Sequence, residues 1–199
     1  IAAAGTSLEF IQRVNELVFS FGADVIVDDL GFFFEPYFAD GDIADAVAGI
    51  ANDVVYVSSA GNSADSHYEA EFQAMNFRID GVSEVVHNFR TSGFLDPTLN
   101  IQLAPNGYVV AVLQWNDRFG SSSNDYDLYL VNDAENQLLA GSAEIQEGIQ
   151  DPIEALCYHN SSTTTEVVKL AVDKHSGFDR RLEMFVFGRG IAQEYNVSR

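Results

Sequence analysis

The sequence predicts two architectures in series: an α/β fragment of parallel strands with crossover helices, followed by an all-β sandwich or jelly-roll domain. Helical spacing and short β-branched runs alternate early in the chain, the order that joins parallel strands through a crossover. From about Leu99, apolar and polar residues alternate with a period of two between Gly, Asn and Asp turns. The predicted segments are an α/β part at 1–68, a linker or docking segment at 69–95, a β-module at 96–190 and a tail at 191–199 that returns toward the first part.

Two helices and two strands are predicted in the first part. Apolar residues recur at helical spacing from Leu8 to Phe21, and Gly22 marks the end of that helix. Residues 23–27 form a β-branched run typical of a short buried strand. A second helix follows at 43–50, with Asp40 or Asp42 as its cap.

The second predicted strand starts at Val54 and ends at Ala60, Gly61 and Asn62. This order places an amide donor at the carboxyl end of a strand, where open α/β folds build their sites. A donor held there can stabilise negative charge that develops on a substrate oxygen. Asn62 is therefore the first candidate for chemistry.

The β-module contains seven or eight short predicted strands in fewer than 100 residues, a density typical of a sandwich or jelly roll. They lie at residues 99–103, 108–115, 126–130, 137–140, 153–158, 167–172 and 182–187.

Composition excludes some functions. The chain has 199 residues and a formal net charge of -20, from 30 acidic and 10 basic side chains, so it would repel the phosphate backbone of nucleic acids. Its apolar runs are too short for a membrane helix. The single cysteine, Cys157, lies in an apolar run and is expected in the core. The chain opens without Met or a basic leader, which suggests a piece cut from a longer protein.

Two segments together carry a resemblance. The sequence GADVIVDDLG at 22–31, followed some thirty residues later by VSSAGN at 57–62, resembles the middle of a subtilisin-like serine peptidase. The resemblance covers roughly residues 5–68. It implies peptide-bond hydrolysis in the parent protein, with a peptide or protein as substrate.

The resemblance assigns roles residue by residue. Asn62 matches the family's oxyanion-hole Asn. Ala60 and Gly61 match one side of the pocket for the side chain before the scissile bond. Leu30 and Gly31 match the facing strand, which pairs with the substrate backbone in that family.

The chain departs from the family pattern at Asp29, where a Ser usually precedes Leu-Gly. With Asp28 it matches a subset of bacterial subtilases that continue with an acidic, aromatic and proline-containing loop, seen here as EPYFADG at 35–41. The paired acids could favour basic substrates or hold a cation. The alternative is that they cap neighbouring backbone amides.

The second half is similar to jelly-roll modules attached to secreted bacterial peptidases. The similarity rests on LQWND at 113–117, NDYDLYL at 124–130 and DPIE at 151–154. In some subtilases such a module lies between the oxyanion Asn and the nucleophilic Ser, and that order fits this chain.

The catalytic triad of the family is not in this sequence. No His-Gly-Thr motif precedes Asn62, and no Gly-Thr-Ser motif with its following Pro lies downstream. Gly-Thr-Ser at 5–7 precedes the oxyanion segment and lacks the Pro, so Ser7 is expected as a helix cap or first-turn residue. His67 is expected in a loop, and the other histidines are expected at surface or turn positions without metal spacing: His87, His159 and His175.

Calcium is the one cofactor that the carboxylates suggest. Asp125 and Asp127 are two apart on a predicted strand and so share a face. With Asp117 or Asn124 from the preceding loop they could supply oxygens to Ca²⁺. The alternative is a solvated face with turn-forming Asn and Asp.

Three functions stay open at this stage. The first is a piece of a subtilisin-like endopeptidase, extracellular or on the surface of a bacterium and inactive by itself. The second is a non-catalytic protein- or carbohydrate-binding module, and the third is a pseudopeptidase scaffold. An exposed edge of the first sheet could also allow self-association with a second copy.

Overall fold

The structure is a computed structural model that describes residues 2–63, 66–90 and 93–194. It divides into two compact units, Ile1–Asn62 and Ser63–Arg199. The chain is mostly β, with one large antiparallel sheet in the second unit that is consistent with a β-sandwich.

The first unit contains helices and a two-stranded parallel sheet. Val25 lies opposite Val55, and Asp28 lies opposite Ser58. Its elements are α1 (Ser7–Asn15), a π-helical segment (Glu16–Ser20), β1 (Val25–Asp28), α2 (Asp42–Ile50) and β2 (Val55–Ser58).

Local sequence explains the start of α1. Thr6 is the N-cap, and its hydroxyl accepts the backbone N–H of Glu9 at 3.2 Å. The Glu9 carboxylate in turn accepts the backbone N–H of Gly5, the residue before the N-cap, at 2.8 Å, an arrangement related to the capping box. Ser7 is a first-turn residue, as expected. The predicted cap of the second helix was wrong, because Gly41 is the N-cap of α2 and makes no side-chain bond.

The first unit covers one face of its sheet and leaves the other bare. The helices and strands share a small core formed by Phe10, Val14, Val18, Ile26, Ile50 and Val54. The valines that alternate with Ile26 and Tyr56 on the strands point the other way and are about half to three-quarters exposed: Val25, Val27, Val55 and Val57.

The described residues of the second unit form nine strands. They are β3 (His67–Glu71), β4 (Ala74–Ile79), β5 (Val82–His87), β6 (Leu99–Trp115), β7 (Asp125–Asn132), β8 (Leu138–Ser142), β9 (Ile153–His159), β10 (Glu166–Ser176) and β11 (Arg181–Gln193). Residues 69–95 were predicted as a linker or docking segment, but they hold most of β3 and all of β4 and β5, which belong to the large sheet. Several positions in these strands are only partly buried and carry polar residues, so the sequence does not show a clear alternation of apolar and polar residues there.

The long strand β6 belongs to both halves of the large sheet. Its first part, through Leu103, pairs with β10, and its second part, from Tyr108, pairs with β9. Strand β11 runs beside both parts of β6 and shifts register between Arg189 and Ile191. The two predicted strands at 99–103 and 108–115 are thus one continuous strand, with a bulge at residues 104–107 opposite Gly190 of β11.

The main core lies between these two halves. Alternate residues of β6, β7 and β10 supply fully buried side chains such as Leu113, Leu128 and Leu170. Asp125 and Asp127 lie on the face of β7 opposite Tyr126 and Leu128, as the alternation predicts. Cys157 was expected in this core but is exposed, because it alternates with the inward-facing Leu156 on β9.

The predicted tail at 191–199 is also partly wrong. Residues 191–193 are the last part of β11 and pair with β6. Residues 195–199 lie outside the described part of the chain.

Candidate functional site

The residues of the predicted cleft follow the two strands of the first unit at one edge of its sheet. Because β1 and β2 are parallel, Leu30 and Gly31 leave the same edge as Ala60, Gly61 and Asn62. The backbone N–H of Ser59 donates to the Asp28 carbonyl at 3.2 Å, so the pairing continues to the point where the second segment departs. All five residues are exposed, and Gly61 has a φ of 71°, which favours glycine.

Asp28 joins the two strands at this edge. Its carboxylate accepts the Tyr56 hydroxyl at 2.5 Å and the Ser58 hydroxyl at 3.1 Å. It also accepts the backbone N–H of Leu30 at 3.4 Å. Burial and this bond to Asp28 raise the pKa of Tyr56, so the phenol stays protonated as a donor. Asp28 therefore acts here as a local cap and a cross-strand anchor, whereas the neighbouring Asp29 is exposed.

A cavity of about 400 Å³ opens beside this anchor. Its walls combine Leu30 and the Tyr56–Ser58 end of β2 with apolar side chains of α2, including Ile43 and Val47. The lining is chiefly apolar, with polar groups gathered at Asp28 and Ser58. This chemistry suits an apolar side chain of a ligand whose backbone lies along the strand ends.

The first unit carries one candidate donor for an oxyanion but no histidine for a triad. Asn62 offers an amide donor, and its position at the strand end is suited to an oxyanion. The sequence has no histidine in residues 1–62, so no imidazole of this unit can act as a general base. Ser7 lies in the first turn of α1, outside the strand edge that carries Asn62.

Two histidines of the second unit occupy positions that the sequence did not predict. His67 was expected in a loop but lies in β3, stacked on Phe185, with Nε2 3.1 Å from Glu183 Oε1. His87 was expected at the surface but is fully buried at the end of β5. Burial lowers the pKa of His87 to about 4.

Two of the four calcium candidates, Asp117 and Asn124, form a structural network. The Asp117 carboxylate accepts Nδ2 of Asn124 at 2.8 Å, Oγ of Ser122 at 2.9 Å and Nε of Arg180 at 2.6 Å. Although burial raises the pKa of Asp117, these bonds together hold it below its ordinary value. Asn124 Oδ1 accepts the backbone N–H of Phe178 at 2.7 Å, so its carbonyl also has a partner. These groups secure the loop before β7 against the turn before β11.

The other two candidates lie on β7, where the structure adds partners that the sequence analysis missed. Asp127 forms a group with Asp173 and His175 of β10, in which one ligand atom from each residue lies within 4.8 Å of the others. The available signal was the alternation in 171–176, which extends the strand predicted at 167–172. Asp125 lies two residues before Asp127 and shares its face.

Comparison with known proteins adds no family. The chain matches no protein-family model and no curated protein. Among the described residues, no helix is long and apolar enough to cross a membrane.

Proposed function

We propose that this chain is part of a subtilisin-like serine endopeptidase and carries its substrate-binding and oxyanion segments together with an accessory β-module. The observation that supports this most directly is the parallel register of β1 and β2. It brings Leu30–Gly31 and Ala60–Asn62 to one edge, as a cleft with two facing walls requires. The parent protein would be secreted or exposed at a bacterial surface.

Each cleft residue has a defined task in this proposal. The backbone of Leu30 and Gly31 pairs with an extended peptide, since this segment continues an exposed strand end. Ala60 and Gly61 lack bulky side chains and leave room for the substrate side chain before the scissile bond. Asn62 donates its amide N–H to the oxyanion of the tetrahedral intermediate.

The bare valine face of the first unit supports a larger parent domain. Parallel sheets in α/β proteins are covered on both faces, whereas Val25, Val27, Val55 and Val57 are left exposed here. In the proposed parent, further elements of the catalytic domain cover these valines and add the strands that carry Asp, His and Ser. The chain alone forms no acyl-enzyme, because it has the donor without the nucleophile.

The test uses the full-length parent protein. Its gene should encode an Asp motif and a His-Gly-Thr motif before this segment, and a Gly-Thr-Ser motif after it. With a chromogenic peptide substrate, Asn62→Ala should lower kcat by about 100- to 1000-fold with little change in KM, because the donor acts on the transition state.

Asn52→Ala is the matched control, since Asn52 is an exposed amide in the turn before β2. It should leave kcat within about twofold. A parent protein without the triad motifs, or an Asn62→Ala variant with unchanged kcat, would overturn the proposal.

A further inference from the structure

A group of potential metal ligands lies where β7 and β10 pair, on the face of the large sheet opposite the main core. Asp127 and Asp173 are direct cross-strand partners, and His175 follows Asp173 by two residues. One ligand atom from each of the three lies within 4.8 Å of the others. The neighbouring strand β5 pairs Val86 with Asp173 and so directs Glu84 to the same face.

The central carboxylate of this group is buried and incompletely bonded. Asp173 is 1% exposed, and its Oδ1 has no hydrogen-bond partner among the described residues. The backbone N–H of Val85 donates a hydrogen bond to the Asp173 carboxylate, but this bond does not satisfy Oδ1. Oδ1 of Asp125, two residues before Asp127, is likewise buried and has no partner within the part of the chain that the structure describes. Buried polar atoms are normally satisfied, so an unmet carboxylate oxygen calls for a ligand.

The surrounding charge favours a cation. Among the residues that the structure describes, no lysine or arginine forms an ion pair with Asp127, Asp173 or Glu84. Lys174, the nearest in sequence, is held elsewhere, 2.5 Å from Asp179 and over the ring of Phe72. Burial and the charges of Glu84 and Asp127 raise the pKa of Asp173 to about 7.

We propose that Asp127, Asp173 and His175 bind a first-row divalent cation of the zinc type, with Glu84 available as a fourth ligand. The imidazole decides between metals, because Ca²⁺ takes oxygen ligands whereas zinc accepts His nitrogen and carboxylate oxygen together. The exposed His175 provides the entry path from solvent, and the two carboxylates neutralise the ion's charge. This site differs from the oxygen cage expected from the sequence, and it is independent of the proposed peptidase function.

A hydrogen bond from Tyr129 orients the carboxylate of Asp127, one of the proposed ligands. The Tyr129 hydroxyl donates to Oδ2 of Asp127 at 2.7 Å, which leaves Oδ1 for a metal. Burial and this bond to Asp127 raise the pKa of Tyr129, so the phenol remains a donor. Partners of this kind commonly fix the orientation of a ligating carboxylate.

The test titrates the whole 199-residue chain, stripped with a chelator, with Zn²⁺ and separately with Co²⁺. One Zn²⁺ should bind per chain, and at a hundredfold excess over Kd the unfolding of the second unit should shift upward by about 5 to 10 °C. Asp173→Asn and His175→Ala should each weaken Zn²⁺ binding by more than about tenfold. Co²⁺ should give visible absorption that His175→Ala changes.

His159→Ala is the matched control, because His159 is an exposed imidazole at the end of β9. It should leave the Zn²⁺ affinity unchanged. Zinc binding that persists in both site variants, or that is lost only in His159→Ala, would overturn the assignment. Tight Ca²⁺ binding that ignores His175→Ala would replace the zinc-type site with an oxygen-only calcium site.

Discussion

The first unit and the second unit bury their strands in different ways. In the second, β6, β7 and β10 place a full set of apolar residues between two halves of one sheet, and residues such as Leu113 and Leu170 have no exposed surface. In the first, β1 and β2 bury only the face toward the helices, and Val27 remains 72% exposed. Hydrophobic burial is the main source of stability. The second unit thus covers its strands from both halves of its sheet, whereas the first has a small core on one sheet face and leaves the valines of the other face exposed.

The largest expected effect tests how tightly the second unit is packed. Gly188 of β11 has the backbone oxygen of Tyr108 where a Cβ would lie. Gly188→Ala should therefore cost about 4 kcal/mol of unfolding free energy, since two backbones must separate. Denaturant unfolding followed by the fluorescence of Trp115, the only tryptophan, measures it.

Gly49→Ala is the counterpart in the first unit. A Cβ at this position of α2 meets no atom within 4 Å. The change should stabilise α2 by about 0.5 to 1 kcal/mol through helix propensity, seen as slower hydrogen exchange of its amides. Equal costs at the two glycines would contradict the contrast in packing.

An effect smaller than that of Gly188→Ala concerns the dependence of stability on pH and belongs to the second unit alone. The Gln73 backbone N–H donates to Nδ1 of His87 at 3.1 Å, so the neutral ring carries its proton on Nε2, 2.7 Å from the Tyr68 hydroxyl. Burial lowers the pKa of His87 to about 4 in the folded chain. As pH falls, His87 therefore takes up a proton in the unfolded chain at a higher pH than in the folded chain. Stability should be full above pH 6.5 and decline toward pH 4, by about 2 kcal/mol between pH 7 and pH 5.

Unfolding curves of Trp115 at several pH values measure this loss. His87→Gln cannot titrate, so its stability should fall less steeply over the same interval. His159→Gln, at an exposed position, should retain the full slope. If the stability of the unsubstituted chain and of His87→Gln falls equally steeply with pH, another group causes the loss of stability.

The smallest expected effect on stability tests the bare face of the first unit. Val27→Thr should change the unfolding free energy by less than about 0.5 kcal/mol, because this side chain makes little contact. We expect the separate chain to self-associate through this exposed apolar face and Val27→Thr to weaken that association, measured by sedimentation at rising concentration. Val82→Thr, at an exposed valine of β5, is the control and should leave association unchanged. If the two substitutions change self-association equally, the exposed valine face of the first unit does not mediate it.

Sequence patterns located most strands of the second unit, because strict alternation survives wherever one face is buried. The strand predicted at 126–130 is the centre of β7, and the one at 153–158 lies within β9. Strands β3, β4 and β5 were missed, since several of their positions are only half covered and polar residues are tolerated there. Cys157 was wrongly expected in the core because its sequence neighbours are apolar, although its side chain is exposed.

Candidate sites were predictable only where their residues are close in sequence. Ala60, Gly61 and Asn62 follow one strand, so their common position could be inferred. Asp127 and Asp173 are 46 positions apart by their numbering, and only the pairing of β7 with β10 brings them together. Asp117 looked like a cation ligand, but its oxygens already accept bonds from Asn124 and Arg180.

The sequence alone determined the alternation of faces, the place of Ser7 at the start of a helix and the placement of Asn62 after a strand, because these depend on residues a few positions apart. Tertiary structure decided which faces are covered, which carboxylates are already bonded and which meet across strands. Burial and long-range pairing depend on the whole chain. For that reason His87 became a buried neutral group, while Asp173 became the centre of a proposed metal site.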